Sequence, residues 1–188
     1  EIVGRLSYHW GPTHTAAGYA LQFAEEVNKR AAGRLRIDVY PSGQLFGIKE
    51  IVGALKAGSV EIGAIIGIVG FPTVVKDFNI ASFPGMFASL EHQRSFFQDS
   101  AEGRALWDET LAKTNTSLLM YDPVGPVLTC SVNSKLDSIE SYKGLKARRL
   151  FGTEKPLWKA LGVDYQKLGT KGVYTALQTG MVNTVNTV

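Results

Sequence analysis

Short apolar runs alternate with amphipathic stretches along the whole chain. Ile2 to Trp10 is strand-like, and Gly11-Pro12-Thr13 is a turn in which Thr13 or Thr15 can cap a helix. Ala16, Ala20, Phe23, Ala24 and Val27 then recur at helical spacing, and Gly33 predicts a left-handed stop. Leu35 to Tyr40 alternates strictly, as a half-buried strand does, and Pro41-Ser42-Gly43 turns the chain. The pattern then repeats. Ile48, Ile51, Val52 and Leu55 form a helical stripe that Gly58 ends, and Val60 to Ile66 reads as a buried parallel strand. Gly67 to Lys76 is punctuated like a loop, and Phe78 to Phe87 is apolar but irregular around Pro84.

Ser89 opens a predicted helix running to Phe97, and Ala101 to Lys113 is another. Ser117 to Tyr121 and Val127 to Val132 read as strands, and Asp137 to Glu140 as a short helical turn. Leu145 to Leu150 is a predicted strand. Thr153 to Pro156 is a helix start that leads to Leu157, Trp158 and Leu161 facing inward. Val163 to Leu168 predicts a strand, Val173 to Leu177 a helix closed by Gly180, and Met181 to Val188 a final strand. Strands alternating with helices predict parallel pairing and an α/β fold. The loop Asp122 to Pro126 is the expected lobe boundary, giving a first lobe over 1–122 and a second over 123–188.

Composition narrows the class. The chain has 188 residues, 45% hydrophobic and 20% charged, which suits a packed globular protein. A net charge of +3, from scattered Lys and Arg, lacks the dense basic stripe that nucleic acid needs. The single cysteine, Cys130, excludes an internal disulfide and a cysteine metal cage, and its apolar strand predicts a core position. The longest uncharged stretch, Ile62 to Val75, is broken by Gly63, Gly67, Gly70 and Pro72, short of the roughly 20 apolar residues of a membrane span, so no membrane insertion is expected. A strand begins at Ile2 with no leader ahead of it, the reading of either a cytoplasmic chain or a mature form whose leader has been removed.

Catalytic signals are thin. His9, His14 and His92 lack zinc spacing, and no nucleophile elbow or phosphate-loop pattern is present, so no cofactor or metal is expected. The cluster Lys143 to Leu150 stands out instead. On a strand, Arg148 and Arg149 point to opposite faces, near the carboxyl end where α/β sheets place ligands. A guanidinium there can grip a carboxylate with two parallel hydrogen bonds, although the same residues fit a surface salt bridge.

Several segments carry a resemblance. They are "GRLRIDVYPSGQLFG" (Gly33 to Gly47), "IVGALKAGSVEIG" (Ile51 to Gly63), "FPGMF" (Phe83 to Phe87), "YKGLKAR" (Tyr142 to Arg148), and "ALGVDYQKL" with "VYTALQTGMV" between Ala160 and Val182. In order and in content they resemble the DctP-type solute-binding proteins of tripartite ATP-independent periplasmic (TRAP) transporters. The resemblance implies a two-lobed periplasmic-binding-protein-like fold with mostly parallel sheets and a ligand cleft between lobes. It implies a periplasmic protein, not an enzyme, that captures a small carboxylate and hands it to the membrane permease subunits of a TRAP transporter.

By the same resemblance Arg148 matches the arginine that binds the ligand carboxylate. The first strand–helix loop brings Trp10 and His14, with Trp10 either stacking on ligand or filling the core. Gly67 and Ile68 follow the third predicted strand, Leu128 stands where some relatives carry a second ligand arginine, and Thr170, Asn186 and Thr187 complete the expected set. Asn183-Thr184 departs from the family's usual continuation, and family members extend beyond this point, so the chain reads as truncated. Two other functions stay open on the residues alone. One is a ligand-sensing domain of a signalling system. The other is an enzyme on an anionic metabolite, with Asp122, Glu154 or His14 as acid–base groups.

Overall fold

The computed structural model describes residues 1–121, 125–169 and 172–187. Its elements in chain order begin β1 (Ile2–Tyr8), α1 (Thr15–Ala31), β2 (Leu35–Tyr40), α2 (Ile51–Lys56), β3 (Ile62–Ala64), α3 (Gly67–Gly70), α4 (Leu90–Asp99) and α5 (Ala101–Thr114). They continue with β4 (Leu128–Ser131), β5 (Lys146–Arg149), α6 (Lys155–Ala160), β6 (Asp164–Lys167), α7 (Val173–Gln178) and β7 (Thr184–Thr187). Two compact units result: Glu1–Phe78 with Ala101–Met120, and Asn79–Ser100 with Tyr121–Val188. The loop expected at the lobe boundary lies partly outside the described residues, at 122–124.

In the first unit, three parallel strands stand in the order β2-β1-β3. Helix α1 turns Ala17, Ala20 and Ala24 toward Leu6, Tyr8 and Ile37. Small side chains let the helix approach the sheet closely, and larger ones, Phe23 and Val27, fill the margins. Asn28 fixes the register: its Nδ2 donates to Ile37 O at 3.1 Å and its Oδ1 accepts from Ile37 N at 2.6 Å. A second packing centre joins Phe71, Phe78 and Trp107, with ring centroids 4.9 to 5.4 Å apart.

The second unit has the order β4-β7-β5-β6. β5 runs parallel to both β6 and β7, and β4 pairs antiparallel to β7. Trp158 of α6 packs on Leu145, Ala147 and Val163, while Ala176 of α7 packs on Val182 and Val185. The segment carrying α4 joins this unit through Thr153 Oγ1, which donates to Ser82 O at 2.7 Å.

Four local expectations change. Gly67 to Lys76 is helical in part, because Gly70 packs without a side chain, where a Cβ would lie 2.7 Å from Val52 Cγ2. Residues 117–121 form no strand, and Leu118, Leu119 and Met120 are exposed with no sheet neighbour to order them. Cys130 is exposed rather than in the core, because β4 pairs on one side only and lies at the sheet edge. Helix α1 is capped by His14, not by a threonine, and its left-handed C-cap is Ala32 (φ 48°), one residue ahead of Gly33 (φ 82°).

Candidate functional site

Strand β5 decides the geometry of the second unit. Its alternation turns Arg148 and Arg149 to opposite faces. Arg148 is 7% exposed, in register with Gln166 on β6 and Val185 on β7. Its Nε donates to Leu168 O at 3.2 Å and its Nη1 to Asn186 O at 2.8 Å. Both acceptors lie at the carboxyl ends of strands parallel to β5, so the guanidinium is fixed across the strand ends. Neither bond uses Nη2. Burial lowers the Arg148 pKa from its ordinary value, and the charge of Glu154 opposes that shift.

Behind Arg148 lies a buried polar set. Asn186 Nδ2 donates to Glu154 Oε1 at 3.0 Å, and Thr129 Oγ1 donates to Asn186 Oδ1 at 2.8 Å. Glu154 Oε2 accepts from Leu150 N at 2.9 Å, Phe151 N at 3.1 Å and Trp158 Nε1 at 3.4 Å. A side chain with a saturated set of partners stays in one rotamer, and this one supports the backbone at the end of β5. Asn186 is therefore joined to Arg148 through its carbonyl and to Glu154 and Thr129 through its side chain. Thr187 is exposed beside it, and Leu128, its register partner on β4, is 57% exposed. Thr170 lies outside the described residues.

Arg149 is used differently. Its Nη1 donates to Phe151 O at 2.9 Å, and its Cζ lies 5.8 Å from the Tyr165 ring centroid. Its buried Nε has no hydrogen-bond partner among the described residues. Asn183 is structural: its Oδ1 accepts from Lys146 N at 3.0 Å, which ties β7 to the start of β5.

In the first unit, Trp10 fills the edge of the core, one of its two expected roles. It packs against the Leu6–Tyr8–Ala17 core and also stacks on His14, with centroids 5.7 Å apart and planes 20° from parallel. His9 lies 4.6 Å from the same ring. His14 Nδ1 accepts from Ala16 N at 3.1 Å and so caps α1. Burial, followed by the charge of His14, lowers the His9 pKa below its ordinary value. Gly67 and Ile68 are half-buried in α3, where a Cβ on residue 67 would lie 3.0 Å from the Phe71 ring. That glycine is explained by close packing.

The structure thus brings Arg148, Asn186, Leu128 and Thr187 to one end of the second unit's sheet, and Trp10 with His14 to the end of β1. Glu154 and Thr129 belong to the Arg148 set and were missed as such from the sequence. The one signal for Glu154 is its place at a helix start, where a glutamate reaches back to free backbone N–H groups. Among the described residues, no group of His, Cys, Asp or Glu can hold a metal ion, and no helix is long and apolar enough to cross a membrane.

Comparison with known proteins gives consistent findings. Residues 6–187 match the family model DctP, bacterial extracellular solute-binding protein, family 7. The C4-dicarboxylate-binding periplasmic protein DctP of Rhodobacter capsulatus is 31% identical over 185 residues, which cover 97% of this chain and 54% of that protein. The sialic acid-binding periplasmic protein SiaP of Vibrio cholerae is 30% identical over 166 residues, 87% of this chain and 50% of that protein. A TRAP periplasmic solute-binding protein of Sulfurospirillum deleyianum, solved with bound succinate, superposes with a TM-score of 0.83 at 26% identity over 99% of this chain and 59% of that one. All three are named as binding proteins, none as an enzyme. The chain spans about half the length of the curated relatives it matches.

Proposed function

The chain belongs to the DctP family, family 7 of the bacterial extracellular solute-binding proteins, and on that premise we propose that it captures a small organic acid outside the cytoplasm through Arg148 and delivers it to the permease of a TRAP transporter. The observation that carries this reading is the buried guanidinium fixed at the ends of three strands, with Nη2 outside its two bonds to carbonyl groups. A buried cation is costly unless an anion meets it, and a ligand carboxylate on Nη2 supplies that partner with a charge-assisted bond. Pinning the guanidinium in advance lowers the ordering cost of binding. Asn186 serves in this reading as the support of Arg148, with Leu128 and Thr187 as its exposed neighbours. The relatives' names supply the ligand class: a C4-dicarboxylate, a sialic acid and succinate are all carboxylates.

The test is calorimetric titration against an organic-acid panel, repeated with Arg148→Ala. Loss of one partner of a buried pair costs about 3–5 kcal/mol. Carboxylate affinity is therefore expected to fall by roughly two to three-and-a-half decades. Unchanged affinity in the variant would overturn the assignment of Arg148, and a panel in which only uncharged compounds bind would overturn the carboxylate mechanism. Radiolabelled uptake in cells with the cognate permease, with and without the protein, tests delivery.

A further inference from the structure

The set behind Arg148 contains an anion for which carboxylate capture alone gives no reason. Glu154 is 3% exposed. The four groups bonded to it are all N–H donors, from Leu150, Phe151, Trp158 and Asn186, the surroundings an ionised carboxylate takes. It forms no salt bridge among the described residues, yet its charge reaches Arg148. The Asn186 side chain that reaches Glu154 lies on the face of Arg149, so both arginines count with the glutamate and the set carries a net charge of +1. One ligand carboxylate on Arg148 then brings the set to neutrality, and a second needs a further cation.

Among the described residues, the sheet turns none toward that end. The neighbours of Arg148 in register are Gln166 and Val185, both uncharged. Arg149 faces the other way, and Lys167 is its register partner on that opposite face. Lys146 shares the face of Arg148 but lies two residues back along β5, away from the strand ends. Leu128, opposite Thr187 at the end of β7, is apolar.

We propose that Glu154 is the counter-charge that limits this site to one ligand carboxylate, so that the protein selects a singly ionised organic acid over its doubly ionised counterpart. This rests on the reading of Arg148 as the carboxylate ligand. Glu154 acts in it as a specificity-determining residue at a distance, and also as a positioning residue through Asn186.

The experiment compares matched pairs in which one carboxylate is replaced by an amide of nearly the same size: succinate with succinamate, malate with malamate, glutarate with glutaramate. The parent protein is expected to bind the monoamide at least as tightly as the diacid. Glu154→Gln removes the charge at constant size and is expected to move the ratio toward the diacid by about fivefold, the order of effect of one nearby charge in partly screened surroundings. Glu154→Asp keeps the charge and is expected to keep the parent ratio. A purely structural role would weaken both members of a pair alike. A parent that prefers the diacid tenfold overturns the proposal, and does so even if the Gln variant fails to fold; an unchanged ratio in a folded Gln variant overturns it as well. Arg148→Ala separates the two readings. If it binds both members as the parent does, the Arg148 reading falls. If it loses both while Glu154→Gln leaves the ratio unchanged, only the counter-charge falls. Absence of binding for every pair to both parent and Gln variant overturns the carboxylate site and the counter-charge with it.

Discussion

In the first unit, β1 and α1 enclose Leu6, Tyr8, Ala17, Ala20, Ala24 and Ile37, an apolar interior closed by small helical residues. In the second, two smaller apolar groups form around Trp158 and Val182, and Arg148, Glu154, Thr184 and Asn186 are buried as well. Both units are strand–helix–strand assemblies with parallel pairing, apart from the antiparallel edge strand β4 of the second. They differ in how the interior of the sheet is stabilised. Dispersion and hydrophobic burial are non-directional, so the first unit depends on volume and shape. Hydrogen bonds are directional and costly to leave unmade, so the second depends on each partner being present. The difference also separates the two candidate binding regions. The end of β1 offers stacked rings, Trp10 with His14, and the ends of β5 to β7 offer a fixed cation.

The comparison breaks most visibly at Glu154. Replacing it with Ala leaves the Leu150 and Phe151 N–H groups, Trp158 Nε1 and Asn186 Nδ2 without their acceptor. The expected loss is about 3–5 kcal/mol of stability, measured by urea unfolding, and it is specific to the directional interior. The matching change in the first unit is Ala17→Leu. It forces extra volume between α1 and the sheet and is expected to cost about 1–3 kcal/mol by the same measurement. If Ala17→Leu cost nothing, the close approach of α1 would not be what holds that unit.

Smaller effects sharpen the contrast at the edges. His14→Ala removes the acceptor for Ala16 N, and the loss of a helix cap costs about 1 kcal/mol, read as a lower unfolding midpoint. Its neighbour His9 adds a pH dependence. With its folded pKa below the ordinary 6.5, the folded state binds this proton less readily than the unfolded chain. Stability is then present above pH 6.5 and declines as the pH falls below it, and His9→Gln is expected to flatten that part of the profile. The smallest effect is at the exposed Arg5–Glu61 pair, bidentate at 2.9 and 2.7 Å. Arg5 holds the Glu61 carboxyl at about 2, below its ordinary 4.5, so the pair's contribution is complete above pH 4.5 and is lost as the pH falls from there toward 2. Solvent and salt screen it, and the Arg5→Ala profile is expected to converge on the parent at high ionic strength.

Much of the fold was legible because its signals are local. The alternation of Leu35 to Tyr40 and the spacing of Ala16 to Val27 depend on neighbours within a few residues, and β2 and α1 lie where those patterns place them. Residues 117–121 misled for the converse reason: apolar residues in an extended run form a strand only when another strand pairs with them. Gly67 to Gly70 misled because glycines that mark a loop in sequence here mark close packing on Phe71 and Val52.

The candidate site divides along the same line. Sequence by itself determined the strand and helix rhythm, the family and the position of Arg148 on one face near a strand end, all properties of residues close together in the chain. Only the tertiary structure decided that this guanidinium is buried, that it rests on Leu168 and on Asn186, 38 residues away, and that Glu154 lies behind it through the side chain of Asn186, 32 residues further along the chain. The reason is physical. Periodicity records which face a residue takes, whereas partners and dielectric surroundings are set when distant strands pair, and no local pattern encodes that pairing.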